Sequence, residues 1–143
     1  MIQDRIDDAR ALWAIGHKEG AFLFAIIAVV AKAREEFPRP MREPAAFRNY
    51  VKSRFPTRIS VEYQGNLWPI EDILYKWFRC EIVHGGGLPS DVQFLTTVDE
   101  RDLVIRSGGQ PDHVLLVSPG WFHQLLAWAE EASVGQARET QWT

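Results

Sequence analysis

Tyr75-Lys-Trp-Phe-Arg-Cys-Glu-Ile-Val-His84, followed by Gly85-Gly86-Gly87, is the stretch on which the fold turns. Ile70, Leu74 and Trp77 recur at helical spacing and define a core face that also contains Glu81. A glutamate on such a face needs a partner or an interface. Pro69, Glu71 and Asp72 mark the helix start, where the dipole favours negative charge. The glycines mark its stop. The pattern predicts one continuous helix from near Pro69 to His84.

Working outward, residues 3–15 place Ile6, Ala9, Leu12 and Trp13 on one side of a helix, with Asp4, Asp7 and Asp8 in its first turns. Gly16 and Gly20 bracket a short turn. A second helix then runs to about Glu36, apolar almost all round in its first half, which suits the centre of a bundle. Three prolines between Phe37 and Pro44 interrupt helix formation. A third helix is expected from Pro44 to about Phe55, ended by Pro56. Ile59–Tyr63 alternates like a short strand or extended link.

Beyond Pro89 the periodicity changes. Val92–Thr97, Asp102–Arg106 and His113–Val117 look like three short strands separated by charged and glycine turns, and a small antiparallel meander is expected. Ser118 then caps a last helix with Pro119 at its first position, running to about Ala132. Residues 133–143 look like a loose tail. The expected architecture is a single, mainly α domain over 1–143: an up-and-down bundle of four to five helices with a β insertion at about 92–117.

Composition fits this. Hydrophobic residues make up 46% and charged residues 24% of 143, as in a globular core-former. The one cysteine, Cys80, cannot pair within the chain, which fits a reducing, cytoplasmic compartment. The apolar run Ala21–Ala31 is shorter than the roughly 20 residues a membrane span needs, so no membrane partner is expected. Net charge is −3, against a generic nucleic-acid binder. The charge is uneven, however: residues 1–58 carry 11 Lys and Arg against 7 Asp and Glu. The densest basic stretch is 32–58, and Arg48, Lys52 and Arg54 are its candidate phosphate-binding residues. The plainer reading of the same residues is a solvated helix face.

No phosphate-cradling glycine loop, paired metal-ligand cysteines or His-Glu-x-x-His is present, so no metal or cofactor is expected. Arg79 and His84 remain, four residues apart in between. Spacing alone carries little: when four to six intervening residues are allowed, about one such pair is expected by chance in a chain with twelve Arg and four His. Arg10–His17 and Arg106–His113, with six intervening residues each, fall within that range as well, but they cross a helix end and a strand turn. Only Arg79–His84 lies within one helical pattern. A His at a helix C-terminus has its protonated form favoured, which suits a group that must both donate and accept a proton. The alternative is structural: Arg79 bonding a neighbouring acid and His84 capping the helix. His17 reads as a turn residue, His113 as a strand end and His123 as a surface or core residue. Trp121, Phe122, Leu125 and Trp128 form an apolar stripe that reads as core.

Leu74-Tyr-Lys-Trp-Phe-Arg-Cys-Glu-Ile-Val-His-Gly85 resembles the signature helix of HEPN domains (higher eukaryotes and prokaryotes nucleotide-binding), sharply over about 68–88 and by helix order over 1–67. The resemblance implies a metal-independent endoribonuclease of the kind found in toxin–antitoxin or defence systems, with its active site in a homodimer cleft. His84 would move the proton of a ribose 2′-hydroxyl, and Arg79 would hold the phosphate, with Glu81 and Tyr75 in support. On an ideal helix the two are about 140° apart at 100° per residue, unless the helix end relaxes or a second subunit supplies one. Cys80 stands where active members often carry a polar residue. A non-catalytic interaction or nucleotide-binding module, acting with an antitoxin-type protein, is the other expectation.

Overall fold

Lys18–Glu36 forms a central helix, α2, which touches α1 (Ile2–Ala14), α3 (Glu43–Arg54), the Lys76–Glu81 segment and the last helix, α5 (Gly120–Ala129). The computed structural model describes residues 2–55, 59–63, 65–81, 83, 86–88, 92–108 and 114–131. The expected stop at Pro56, the His84 helix end with Gly85, His113 and the tail 133–143 lie outside the described residues. Mainly helical architecture is what the structure has, and none of its helices is long and apolar enough to cross a membrane, among the described residues.

The centrality of α2 follows from its composition. Ala21, Ala25, Ala28 and Ala33 are buried and let neighbouring helices approach closely, while Phe22, Ile26 and Val29 fill the space between them. Gly16 takes a φ of +85° and turns the chain from α1 into α2. Gly20 belongs to α2 itself rather than to the turn. Pro44 stands in the first turn of α3, where its missing N–H costs no hydrogen bond.

The segment after α3 holds a hairpin. β1 (Ser60–Tyr63) pairs antiparallel with β2 (Asn66–Pro69), Val61 opposite Trp68. Only the first strand was expected. Pro69 sits at the strand end opposite Ser60 and leads straight into α4 (Ile70–Tyr75). Here the structure departs from a continuous α-helix. After Tyr75 the chain winds as a π-helix over Lys76–Glu81. A π-turn closes i→i+5 hydrogen bonds, is rare, and is frequent at functional sites.

The second sheet corrects the meander. β3 (Val92–Phe94), β4 (Ile105–Gly108) and β5 (Val114–Val117) lie in the order β3-β5-β4. β5 is central, antiparallel to β4 but parallel to β3, so the chain crosses over rather than folding back strand by strand. Ser118 is also placed differently. Its buried hydroxyl accepts from Val104 N at 2.8 Å and donates to Asp102 O at 2.5 Å, and no side chain caps α5. That pair ties the 102–104 segment to the helix start. Trp121, Phe122, Leu125 and Trp128 are core residues, as their spacing implies.

Candidate functional site

Three aromatic residues fix the path of the chain around Arg79. Tyr75 lies against Phe47 of α3, ring centroids 5.4 Å apart. Trp77 meets the hairpin, edge-on to Tyr63 at 4.9 Å and to Trp68 at 5.3 Å. Phe78 is fully buried and contacts Phe22 of α2 at 4.8 Å. Each ring anchors the α4–π segment to a different wall of the molecule. Arg79 and Cys80 follow directly after these anchors and are half-buried.

Arg79 faces the first residue of α3. Its Nη2 lies 3.7 Å from Glu43 Oε1. The Tyr75 hydroxyl donates to the other carboxylate oxygen, Oε2. Glu43 thus bridges two residues of the motif helix from the N-terminus of α3, where the dipole favours its charge. Burial pushes the Tyr75 phenol well above the usual tyrosine range, and the hydrogen bond to Glu43 pushes further in the same direction. Tyr75 therefore stays a neutral donor. Arg79 Nε, like Arg5 Nε, is buried and has no hydrogen-bond partner among the described residues. A buried guanidinium N–H without a partner is uncommon and calls for an explanation.

The candidate phosphate-binding residues are differently placed. Arg54 is saturated. Its Nη1 and Nη2 each donate to Glu36 at 3.0 Å, its Nε donates to Glu131 at 2.7 Å, and its guanidinium stacks 3.6 Å from the Tyr50 ring. That is the geometry of a structural clamp between α2, α3 and the end of α5. Arg48 Nε donates to Pro44 O at 3.3 Å and lies 3.6 Å from Asp72. Lys52 lies 3.8 Å from the buried Glu71. These two remain about half exposed, at 46% and 53%, so ligand could still reach them. Both also join α3 to α4, so the basic stretch does structural duty beside the Tyr75–Glu43–Arg79 cluster. Glu81 closes the π segment. His84 lies outside the described residues.

A second polar cluster had no sequence signal. A groove of about 420 Å³ runs between α1 and α5, lined in part by Arg10, Trp13, Arg101, His123 and Glu130. Its polar groups largely satisfy one another. Trp13 Nε1 and His123 Nε2 both lie 3.0 Å from Glu100 Oε1, and Arg10 pairs with Glu130 at 2.6 Å. The Trp13 ring stacks on Phe122 at 4.2 Å. The hydrogen bond from His123, then that from Trp13, hold the Glu100 carboxyl below the usual range. The cluster fastens the 99–101 loop to two helices. Glu43 was equally invisible, because 32 residues separate it from Tyr75 and no local pattern joins them.

A mainly helical domain with an incompletely satisfied arginine on a π-wound helix is the class that fold and site define. The chain belongs to the Rv1289 family, whose model matches residues 1–116. That span takes in α1 to α4, the π segment and the strands as far as β5. No curated protein and no solved structure matches the chain.

Proposed function

We propose that this chain is a HEPN-type, metal-independent endoribonuclease that works as a homodimer, with Arg79 binding the scissile phosphate and His84 carrying the proton. The observation that carries the reading is the state of Arg79. It sits on a π-turn, with one carboxylate contact at 3.7 Å and an inner N–H without a partner among the described residues. By contrast, Arg54 has its fork filled by carboxylates at ordinary hydrogen-bond distances. An underfilled guanidinium is suited to a phosphate, which offers it paired oxygens.

The reaction needs no group beyond those named. His84 takes the proton of the ribose 2′-hydroxyl, and the oxygen attacks phosphorus. The bond to the 5′-oxygen breaks, and the leaving oxygen takes the proton back from the His84 imidazolium. The products are a 2′,3′-cyclic phosphate and a 5′-hydroxyl. Arg79 offsets the charge that grows on the phosphorane oxygens, where a fixed donor is most effective.

A second reading keeps the fold and drops the chemistry: a non-catalytic module that engages a protein partner of antitoxin type. The Glu43 contact on Arg79 and the position of Cys80 favour it. Incubating the purified chain with mixed RNA in EDTA, beside Arg79→Ala and His84→Ala, separates the two. Cleavage by the unaltered chain that falls at least a hundredfold in both variants supports the ribonuclease, since positioned acid–base groups contribute about 10²–10⁴. Equal cleavage by all three, or none by any, refutes it.

A further inference from the structure

We infer that the Glu43 carboxylate occupies Arg79 in the absence of ligand, and that a phosphate mono- or diester binds by exchanging with it. The inference rests on the reading of Arg79 as a phosphate-binding residue, and it names what regulates that site.

Three features of the contact point to exchange rather than to a permanent salt bridge. First, it is one-handed: a single oxygen of Glu43 approaches a single nitrogen of Arg79 at 3.7 Å. The Glu36–Arg54 pair in the same molecule shows what a permanent bridge looks like, with two nitrogens on two oxygens at 3.0 Å. Second, Arg79 Nε is buried and left without a partner among the described residues, so the guanidinium is underfilled, and an oxyanion that turns it toward solvent engages a donor that Glu43 leaves unused. A phosphate presents two unesterified oxygens or more to a planar fork and gains a contact that Glu43 does not make. Third, both side chains are reachable, at 26% exposure for Arg79 and 32% for Glu43.

Tyr75 gives the exchange a defined end state. Its hydroxyl holds Glu43 through Oε2, the oxygen that does not face Arg79. When Oε1 leaves the guanidinium, the carboxylate keeps that hydrogen bond and its place at the α3 N-terminus, so displacement strands no buried charge. Glu43 then sets a threshold. Anions that touch Arg79 through one oxygen compete poorly with it, whereas those that touch through two displace it.

The test uses the full chain and two probes, inorganic phosphate and a short 2′-O-methyl oligoribonucleotide that cannot be cleaved, followed by calorimetric titration. Glu43→Gln removes the competing charge and should tighten both ligands by up to about fivefold, the ratio that a solvent-screened pair supports. Glu43→Ala should change affinity with the same sign, which guards against misfolding of either variant. The gain should vanish when Arg79→Ala is added. Glu35→Gln, which removes the same charge from α2, should change affinity less than twofold. Tightening of the oligonucleotide alone assigns the site to polynucleotide, and tightening of both assigns it to phosphate in general. Either result upholds the exchange. Affinity unchanged or weaker in Glu43→Gln, a gain that survives without Arg79, or an equal gain in Glu35→Gln overturns it. If no protein cleaves RNA while the Glu43→Gln gain holds, the ribonuclease reading falls and the exchange stands.

Discussion

Replacing Gly120 by alanine should destabilise the fold, although the same change in most helices stabilises. Gly120 opens α5 directly beneath the 101–102 backbone. A methyl group there would lie 2.1 Å from Asp102 O, 2.6 Å from Asp102 C and 2.9 Å from Arg101 C. The obstacle is backbone, so the segment itself must move by more than an ångström to reach ordinary contact. That segment is tied down. Ser118 Oγ bonds Val104 N and Asp102 O, and Ser118 N donates to Val104 O at 2.9 Å. Overpacking of this kind costs about 1–3 kcal/mol, and alanine's helix preference recovers at most about 1. A net loss of about 1–2 kcal/mol should lower Tm by about 3–6 °C in a chain of this size. Gly20→Ala is the matched control. Its methyl meets only Leu12 Cδ1, at 3.3 Å, the movable end of a side chain, so it should be neutral or gain about 0.5–1 kcal/mol. Urea unfolding and calorimetry of the three proteins decide the point. Gly120→Ala at least as stable as the unaltered chain would refute the close approach of the 101–102 segment to α5.

The Arg54 clamp should be mainly structural: Arg54→Met should cost about 2 kcal/mol, because Glu36 and Glu131 lose their shared partner, while phosphate affinity changes little. Urea unfolding beside phosphate titration measures both effects, and unchanged stability would count against it. The Glu100 latch should weaken in acid. Its carboxyl is lowered by His123 and Trp13, so its contribution is present above the unfolded value of about 4.3 and is lost as pH falls through the lower folded value. Glu100→Gln should therefore differ from the unaltered chain at pH 7, and the difference should shrink as pH falls below the unfolded carboxylate value, followed by Tm against pH. Tyr50, whose hydroxyl donates to Trp128 O at 2.8 Å, is pushed up to about 12, chiefly by burial. Its neutral form stabilises the fold fully below about pH 10, and that contribution is lost between there and about 12. Ultraviolet titration should show this phenol ionising late.

The helices were legible because each carries its own signal. The buried small and bulky residues of α2, the turn at Gly16 and Pro44 at the start of α3 act within a few residues of where they stand. The π winding was not legible, since the spacing of Ile70, Leu74 and Trp77 reads as an ordinary α-helix and no residue type marks a switch to i→i+5 turns. β2 is four residues long and ends in proline, which argues against a strand until its partner Ser60–Tyr63 is in place. The order β3-β5-β4 depends on the path between strands, and three short apolar runs do not encode it. Ser118 before Pro119 has the local form of a cap, yet its hydroxyl serves a segment 14 to 16 residues away. The site divides in the same way. Arg79 and Tyr75 stood out in the motif helix. Glu43, which bridges them, is joined to them only by folding.

A single RNA oligonucleotide incubated with the chain in EDTA, beside its fully 2′-O-methylated twin, tests the central proposal most directly when the product ends are determined by mass. Cleavage of the unmodified strand alone, leaving 2′,3′-cyclic phosphate and 5′-hydroxyl ends and lost in Arg79→Ala, is the predicted result. An intact unmodified strand, cleavage of both strands, or cleavage that persists in Arg79→Ala would contradict it.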